Sequence, residues 1–389
     1  FPPSEYNCQL YDNIVKPVWP QFQAWWSKVE TSKNINKNRN TVERFIKTLN
    51  QKDITFLGIL SDGGQGLATG DNGGFLGVKS NTKIAFNISK ARPKKLLKAL
   101  EDEPGIKSMF PETKNIKELE DAELLLQSLT EKEIRNLFDS IKANYGLRVL
   151  GKGFIYRIVD STEILEISTL SNDEKENGID SSHEVFVRYD KGDKDGNKWL
   201  SDTPYLINWN TNSVEFLKNS DRARFQGNEF YFKPGFSWNC INGTRNTNNF
   251  KFKFIEPSVN DVQGMKLSIN PAASHLISDK FIVCISNSFL VNRLSEAFIN
   301  FTVAFQINDT RQIPIIIPTN EQLGAFESKF DECFAIQQRY FNGDIEKAQA
   351  RAELKPIEDE IDEMVNQLYG ITASISQEEV GDEELIENE

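Results

Sequence analysis

Two stretches concentrate the residues able to engage an anionic ligand. Residues 61–72, Ser-Asp-Gly-Gly-Gln-Gly-Leu-Ala-Thr-Gly-Asp-Asn, are the most glycine-dense part of the chain, and glycine lets backbone amides come close to a phosphate. No Gly-Lys-Ser or Gly-Lys-Thr closes the stretch, so it is not a P-loop. Gly64, Gly66 and Gly70 give a GxGxxxG spacing with no clear helix behind it, a poor dinucleotide fingerprint, and a plain loop of tight turns fits equally well. The second stretch interleaves cations with aromatic rings: Arg222, Arg224 and Phe225, then Tyr231, Phe232, Lys233, Phe236 and Trp238, and on to Arg245, Lys251 and Lys253. Cations neutralise phosphates, an arginine fork can take guanine bidentately, and planar groups stack on bases or wedge between them. The Phe-Lys-Phe-Lys-Phe run at 250–254 describes an amphipathic strand with a solvated basic face just as well.

Catalytic patterns are missing. An amino-methyltransferase needs an Asn/Asp-Pro-Pro-aromatic loop to hold the target amine, and Asn270-Pro271-Ala272-Ala273 lacks both the second proline and the aromatic. The short Glu-x-Lys matches at Glu112/Lys114 and Glu353/Lys355 carry too little information to mark a nuclease. His183 and His275 are lone histidines, and Cys8, Cys240, Cys284 and Cys333 show no CxxC pairing, so neither a zinc site nor a nucleophilic dyad is expected. Scattered cysteines fit a reducing cytosol, where each would behave as a small buried hydrophobe. The acidic run at 190–197 fails the EF-hand spacing and reads as a hairpin turn.

The net charge of −12 looks wrong for a DNA binder until it is located. Residues 357–389 hold twelve Asp and Glu and no Lys or Arg, which accounts for all of it, while residues 217–255 carry seven basic side chains against two acidic ones. Phosphate contact requires a local basic stretch, not a global sign. No apolar run approaches a membrane span and the start lacks a signal-peptide layout, so the chain reads as soluble and cytoplasmic. It opens on Phe1 rather than Met, as a processed chain or a fragment would.

The elements that must position these residues follow from periodicity. The first third reads helical, with Trp19, Phe22, Trp25 and Trp26 as an aromatic face and an Asn-rich loop at 34–40. The clearest helix spans 131–145: Thr130 and Glu133 form a capping box, Ile134, Leu137, Phe138 and Ile141 make an apolar stripe, and Gly146 ends it. Short strands are expected at 153–159, 163–167, 184–189, 205–209 and 229–233. After Pro314 and Pro318 the period turns helical through Phe326, Phe330, Phe334 and Ile336, followed by a charged helix over 345–368. The fold class is therefore α+β, with a helical N-terminal segment, a strand-rich centre and C-terminal helices.

Several blocks, in order, resemble the C-terminal half of Type II adenine methyltransferases of restriction-modification and related phage-defence systems. They are residues 65–72; Tyr189-Asp190-Lys191-Gly192 with Trp199; Pro204-Tyr205-Leu206-Ile207-Asn208-Trp209; Arg224-Phe225 with residues 230–238; Asn287-Ser288; residues 300–315; and Ile361-Asp362-Glu363 with Leu368-Tyr369-Gly370. The resemblance covers about 60–370 and implies a TaqI-like specificity domain flanked by helices. On that likeness residues 1–58 connect to a catalytic domain outside this chain, 59–320 form the target-recognition domain with a helical insert near 92–146, 321–372 are C-terminal helices and 373–389 an acidic tail. Methyl transfer from S-adenosylmethionine would then belong to the separate or upstream domain, with or without a fused endonuclease, and this chain would hold no cofactor or metal. Its partners would be double-stranded DNA and that catalytic domain. A methyltransferase rotates its target base out of the stack, so one module does chemistry while another holds the flanking duplex.

DNA contact is accordingly expected from Arg222, Arg224, Lys233, Arg245, Lys251 and Lys253, with Trp238 supporting their loop, and from Gln65, Thr69 and Asn72. Arg245, in a loop of short polar side chains, is the first choice for reading a base. Two other classes fit parts of the sequence. A secreted β-rich carbohydrate-binding module would explain the acidic pI, the 11% aromatic content and the sequons at Asn87, Asn242, Asn300 and Asn308. An autonomous cofactor-using enzyme would be built on the glycine-rich loop.

Overall fold

The computed structural model describes residues 4–21, 23, 35–146, 148–151, 156–192, 196–200, 203–238, 250–262, 264–300, 302 and 304–373. The fold is α+β. The chain divides into two compact units that exchange strands of sequence: Phe1–Gly66, Gly192–Asp202 and Lys233–Glu389 form one, Leu67–Lys191 and Thr203–Phe232 the other. Residues 59–320, expected as one target-recognition domain, are therefore shared between them.

In the first unit a five-stranded sheet runs in the order Ser61–Gly64, Lys266–Ile269, Gly235–Trp238, Phe252–Ile255, Trp199–Leu200. The first four pair antiparallel and the last is parallel to its neighbour. Gly63 is required by this pairing, because a Cβ there would lie 2.1 Å from Lys266 O. Helix Asp279–Ser286, buried from Phe281 onward, packs through Phe281 on Phe326 of helix Asn320–Asn342. That long helix starts on a Thr319/Gln322 capping box and stops at Gly343 in the left-handed region. Helix Lys347–Tyr369 is fixed by Glu358, whose carboxylate accepts from Trp199 Nε1 at 2.8 Å. No single helix among the described residues is long and apolar enough to cross a membrane.

The second unit has strands in the order Phe186–Asp190, Tyr205–Asn208, Leu76–Lys79, Arg157–Val159. The last pair is parallel, and parallel neighbours need a long crossover. Helices Lys83–Asp102, Leu119–Ser128 and Glu131–Tyr145 supply it, burying Leu96, Leu100, Leu126, Ile134, Leu137, Phe138 and Ile141 in one cluster. The capping box, the stripe and the Gly146 terminus read from the sequence are all in place.

Four local expectations are corrected. Of the loop expected at 34–40, residues 35–40 are helical: helix Ile35–Ile46 runs through their asparagines, with Val42 and Ile46 packed on the core, so tertiary burial overrides weak helix propensity, and residue 34 lies outside the described residues. At 163–167 a turn replaces the strand, because Asp160 and Glu163 cap Ser161–Glu163 reciprocally and Ile164 makes a single bridge to Phe186. At 229–233 a turn over Asn228–Phe230 and the positive φ of Phe232 break any ladder. The strands on either side of 190–197 do not pair with each other, since Phe186–Asp190 pairs with Tyr205–Asn208 while Trp199–Leu200 joins the other unit's sheet, and residues 193–195 lie outside the described residues. Of the N-terminal aromatic face, Trp19 is exposed, and Phe22, Trp25 and Trp26 lie outside the described residues. Cys284 and Cys333 are buried, Cys8 is exposed, and Cys240 lies outside the described residues.

Candidate nucleic-acid interface

The two stretches singled out by composition meet, in part, within the second unit. Ala68 N–H donates to Arg224 O at 3.1 Å and Arg224 N–H to Ala68 O at 2.8 Å, a one-residue antiparallel bridge. Two residues further on, Gly70 stands at φ +70°, and a Cβ there would be 2.5 Å from Arg222 O. At the far end the rings of Phe75 and Phe216 lie 5.4 Å apart. The three contacts join 68 to 224, 70 to 222 and 75 to 216, so residues 68–75 and 216–224 run alongside each other in opposite directions as one clip.

Each side of the clip is anchored from beneath. Leu67 is buried and its carbonyl accepts from the buried Tyr189 hydroxyl at 3.2 Å. Thr69, 2% exposed, donates through Oγ1 to Asn72 Oδ1 at 2.7 Å, which sets the amide of the exposed Asn72. Asp71 caps the short turn Asn72–Phe75 by accepting from Gly74 N–H. The Gly73 carbonyl accepts from the guanidinium of Arg135. Arg135 and Lys142 share the carboxylate of Asp139, each at 3.0 Å. On the other side Phe225 stacks on the buried Trp209 and meets Tyr231 edge to face, with the Lys218 ammonium 5.7 Å from the centre of its ring. The Trp209 indole N–H is satisfied by Glu174 O at 3.1 Å. Aromatic packing of this kind contributes beyond area burial and holds a loop without regular pairing.

Among the side chains this leaves in solvent are Arg222, Arg224 and Asn72, on a backbone fixed at both ends. Two guanidiniums can neutralise phosphates or fork onto guanine, and a fixed amide can donate to a base edge. Exposed Glu215 and Asp221 on the same segment and Asp71 on the facing one balance Lys218, Arg222 and Arg224, so the clip carries no net charge, which favours geometry over bulk attraction.

The remaining expected contacts fall in the first unit. Gln65 and Lys233 are exposed, and the Lys233 carbonyl accepts from the buried Lys266 ammonium at 2.9 Å. Lys251 is half-buried. Lys253 is a correction: at 2% exposure, in register with Ser237 and Trp199, its side chain is closed to a phosphate in this fold. The run at 250–254 is consequently not a strand with a solvated basic face, because Phe250, Phe252 and Lys253 are all covered. Trp238 is a core residue that stacks on Phe252 and donates from its indole to Phe305 O at 3.0 Å. Arg245 lies outside the described residues. The near-match Asn270-Pro271-Ala272-Ala273 has a structural use: Asn270 caps the turn Pro271–Ala273 and donates to Asp62 Oδ2 at 2.7 Å. His183 and His275 are both exposed.

Sequence reasoning missed Lys218, Phe75 and Phe216. The signal was present, since Asn210 capping a helix with Val214 and Leu217 buried places Phe216 off the buried stripe. No protein-family model matches the chain, and no curated protein matches it.

Proposed function

We propose that this chain recognises a DNA sequence for an adenine methyltransferase of the restriction-modification type, acting in the cytoplasm and positioning duplex DNA for a separate or upstream S-adenosylmethionine-dependent domain. The observation that carries the reading is the Ala68–Arg224 bridge. It joins the glycine-rich block to the arginine-bearing block, the two parts of the chain whose residue types suit phosphate and base-edge contact. Arg222 and Arg224 then act as the cations of the site and Asn72 as its fixed amide, while the aromatic packing beneath them limits the entropy lost on binding. The resemblance in ordered blocks over about 60–370 supplies the methyltransferase context.

The test is fluorescence anisotropy of labelled duplexes over a range of salt, with Arg222→Ala and Arg224→Ala measured against the parent chain. A phosphate-contacting arginine should weaken all sequences alike and lower the salt slope by about one unit, whereas a base-reading one should cost about 1–3 kcal/mol and relax preference at one position. Parent-like affinity and salt slope in the double variant would remove the clip from the interface, and a parent chain that binds no duplex would end the DNA reading altogether.

A further inference from the structure

Helix Thr211–Asn219 buries Ser213, Val214 and Leu217, yet Phe216 is 54% exposed. A single exposed phenylalanine is unremarkable in itself. This one is backed by a second ring, because half-buried Phe75 lies under it at 5.4 Å with the planes tilted by 33°. Phe75 closes the turn begun by Asn72, and Phe216 lies on the segment leading to Arg222 and Arg224. The aromatic pair is thus one end of the clip whose other end carries the arginines.

We infer that Phe216, propped by Phe75, is an aromatic wedge that stacks against a base step of duplex DNA while Arg222 and Arg224 hold the neighbouring backbone. This rests on the DNA-recognition reading above and adds to it a deformation of the duplex. Three physical points argue for it. A phenylalanine ring inserted between bases recovers in the complex the burial it lacks in the free chain. A ring already braced by Phe75 and by a capped helix enters without losing much side-chain freedom. Exposed cations stand within the same short segment, Lys218 two residues from Phe216 and Arg222 and Arg224 further on, and can take the phosphates that flank a base step, while Glu215, Asp221 and Asp71 balance their charge so that geometry rather than bulk attraction selects the duplex.

The experiment uses the full chain with Phe216→Ala, Phe216→Trp and Arg222→Ala, and duplexes carrying 2-aminopurine at successive positions of the best-bound sequence. The parent and Phe216→Trp should brighten 2-aminopurine at one step as it unstacks. Phe216→Ala should lose that signal and bind about tenfold more weakly, within the range that stacking a base on an aromatic ring contributes. Arg222→Ala should weaken binding yet keep the brightening at saturating protein. Phe216→Gln keeps helix propensity and serves as a second variant if the alanine chain melts early. Parent-like affinity and 2-aminopurine response in a folded Phe216 variant would overturn the wedge while leaving DNA recognition standing; no duplex binding by the parent would overturn both.

Discussion

Gly70 and Arg222 face each other so closely that no side chain fits between them: a Cβ on Gly70 would sit 2.5 Å from the Arg222 carbonyl oxygen and 2.9 Å from its Cβ. The glycine also holds φ +70°, where a Cβ costs about 1–2 kcal/mol by itself. One residue therefore sets the distance between the glycine-rich loop and the arginine segment.

Gly70→Ala should pry the clip open. The expected result is faster hydrogen exchange at the Ala68 and Arg224 amides and weaker duplex binding, with local destabilisation of about 1–3 kcal/mol. Gly343→Ala is the control, because Gly343 has φ +81° at the end of a helix with nothing within 4 Å of a Cβ. It should lose about 1 kcal/mol of stability and no affinity. Equal effects of the two on binding would show that the close approach to Arg222 does not position the site.

Two buried carboxyls should make stability fall as pH rises. Burial raises Asp279 from 3.8 to about 6, opposed by the Ile269 N–H bond and the charge of Lys266. Burial likewise raises Asp362 to about 6, opposed by the Phe289 N–H and Lys198. In both cases the folded state holds the proton more tightly than the unfolded chain. Each contribution is thus fully present below about pH 4 and lost by the time pH passes about 6. Relative to the parent, Asp279→Asn and Asp362→Asn should gain on the order of 1 kcal/mol each as pH climbs from 4 to 7. Thermal melts across that interval give the difference curve, and a flat or falling difference would contradict the assignment.

Removing the acidic tail should leave DNA affinity unchanged or improved, since its carboxylates repel phosphate within a screening length of about 8 Å at physiological salt. The cut belongs after Ala373, because the Thr372 and Ala373 amides donate to Gln9 Oε1 at 2.9 and 3.1 Å. Deletion of 374–389 followed by anisotropy at low and physiological salt checks this. A large loss of affinity would assign those residues a place in the binding unit.

Helix 131–145 was legible in the sequence to the residue, because capping box, apolar stripe and terminal glycine are all local signals. The α+β class was legible for the same reason, as were the two long C-terminal helices, whose period survives over six turns each. Ala68 and Gly70, which meet Arg224 and Arg222 in the structure, lie with them in the two stretches that composition alone singles out. What local pattern could not decide was burial. Lys253 and Trp238 share an alternating, aromatic-rich run with residues that face water, and only the pairing of Phe252–Ile255 between two neighbours covers them. Nor could it decide which distant segments meet. Ala68 and Arg224 are brought together because Leu67 is anchored by Tyr189 and Phe225 by Trp209, contacts that span the unit and leave no trace in either segment's own sequence. The sequence by itself determined which side chains have the charge and shape for phosphate or base-edge contact; the tertiary structure decided which of them are left exposed, because exposure depends on the neighbours that long-range packing supplies.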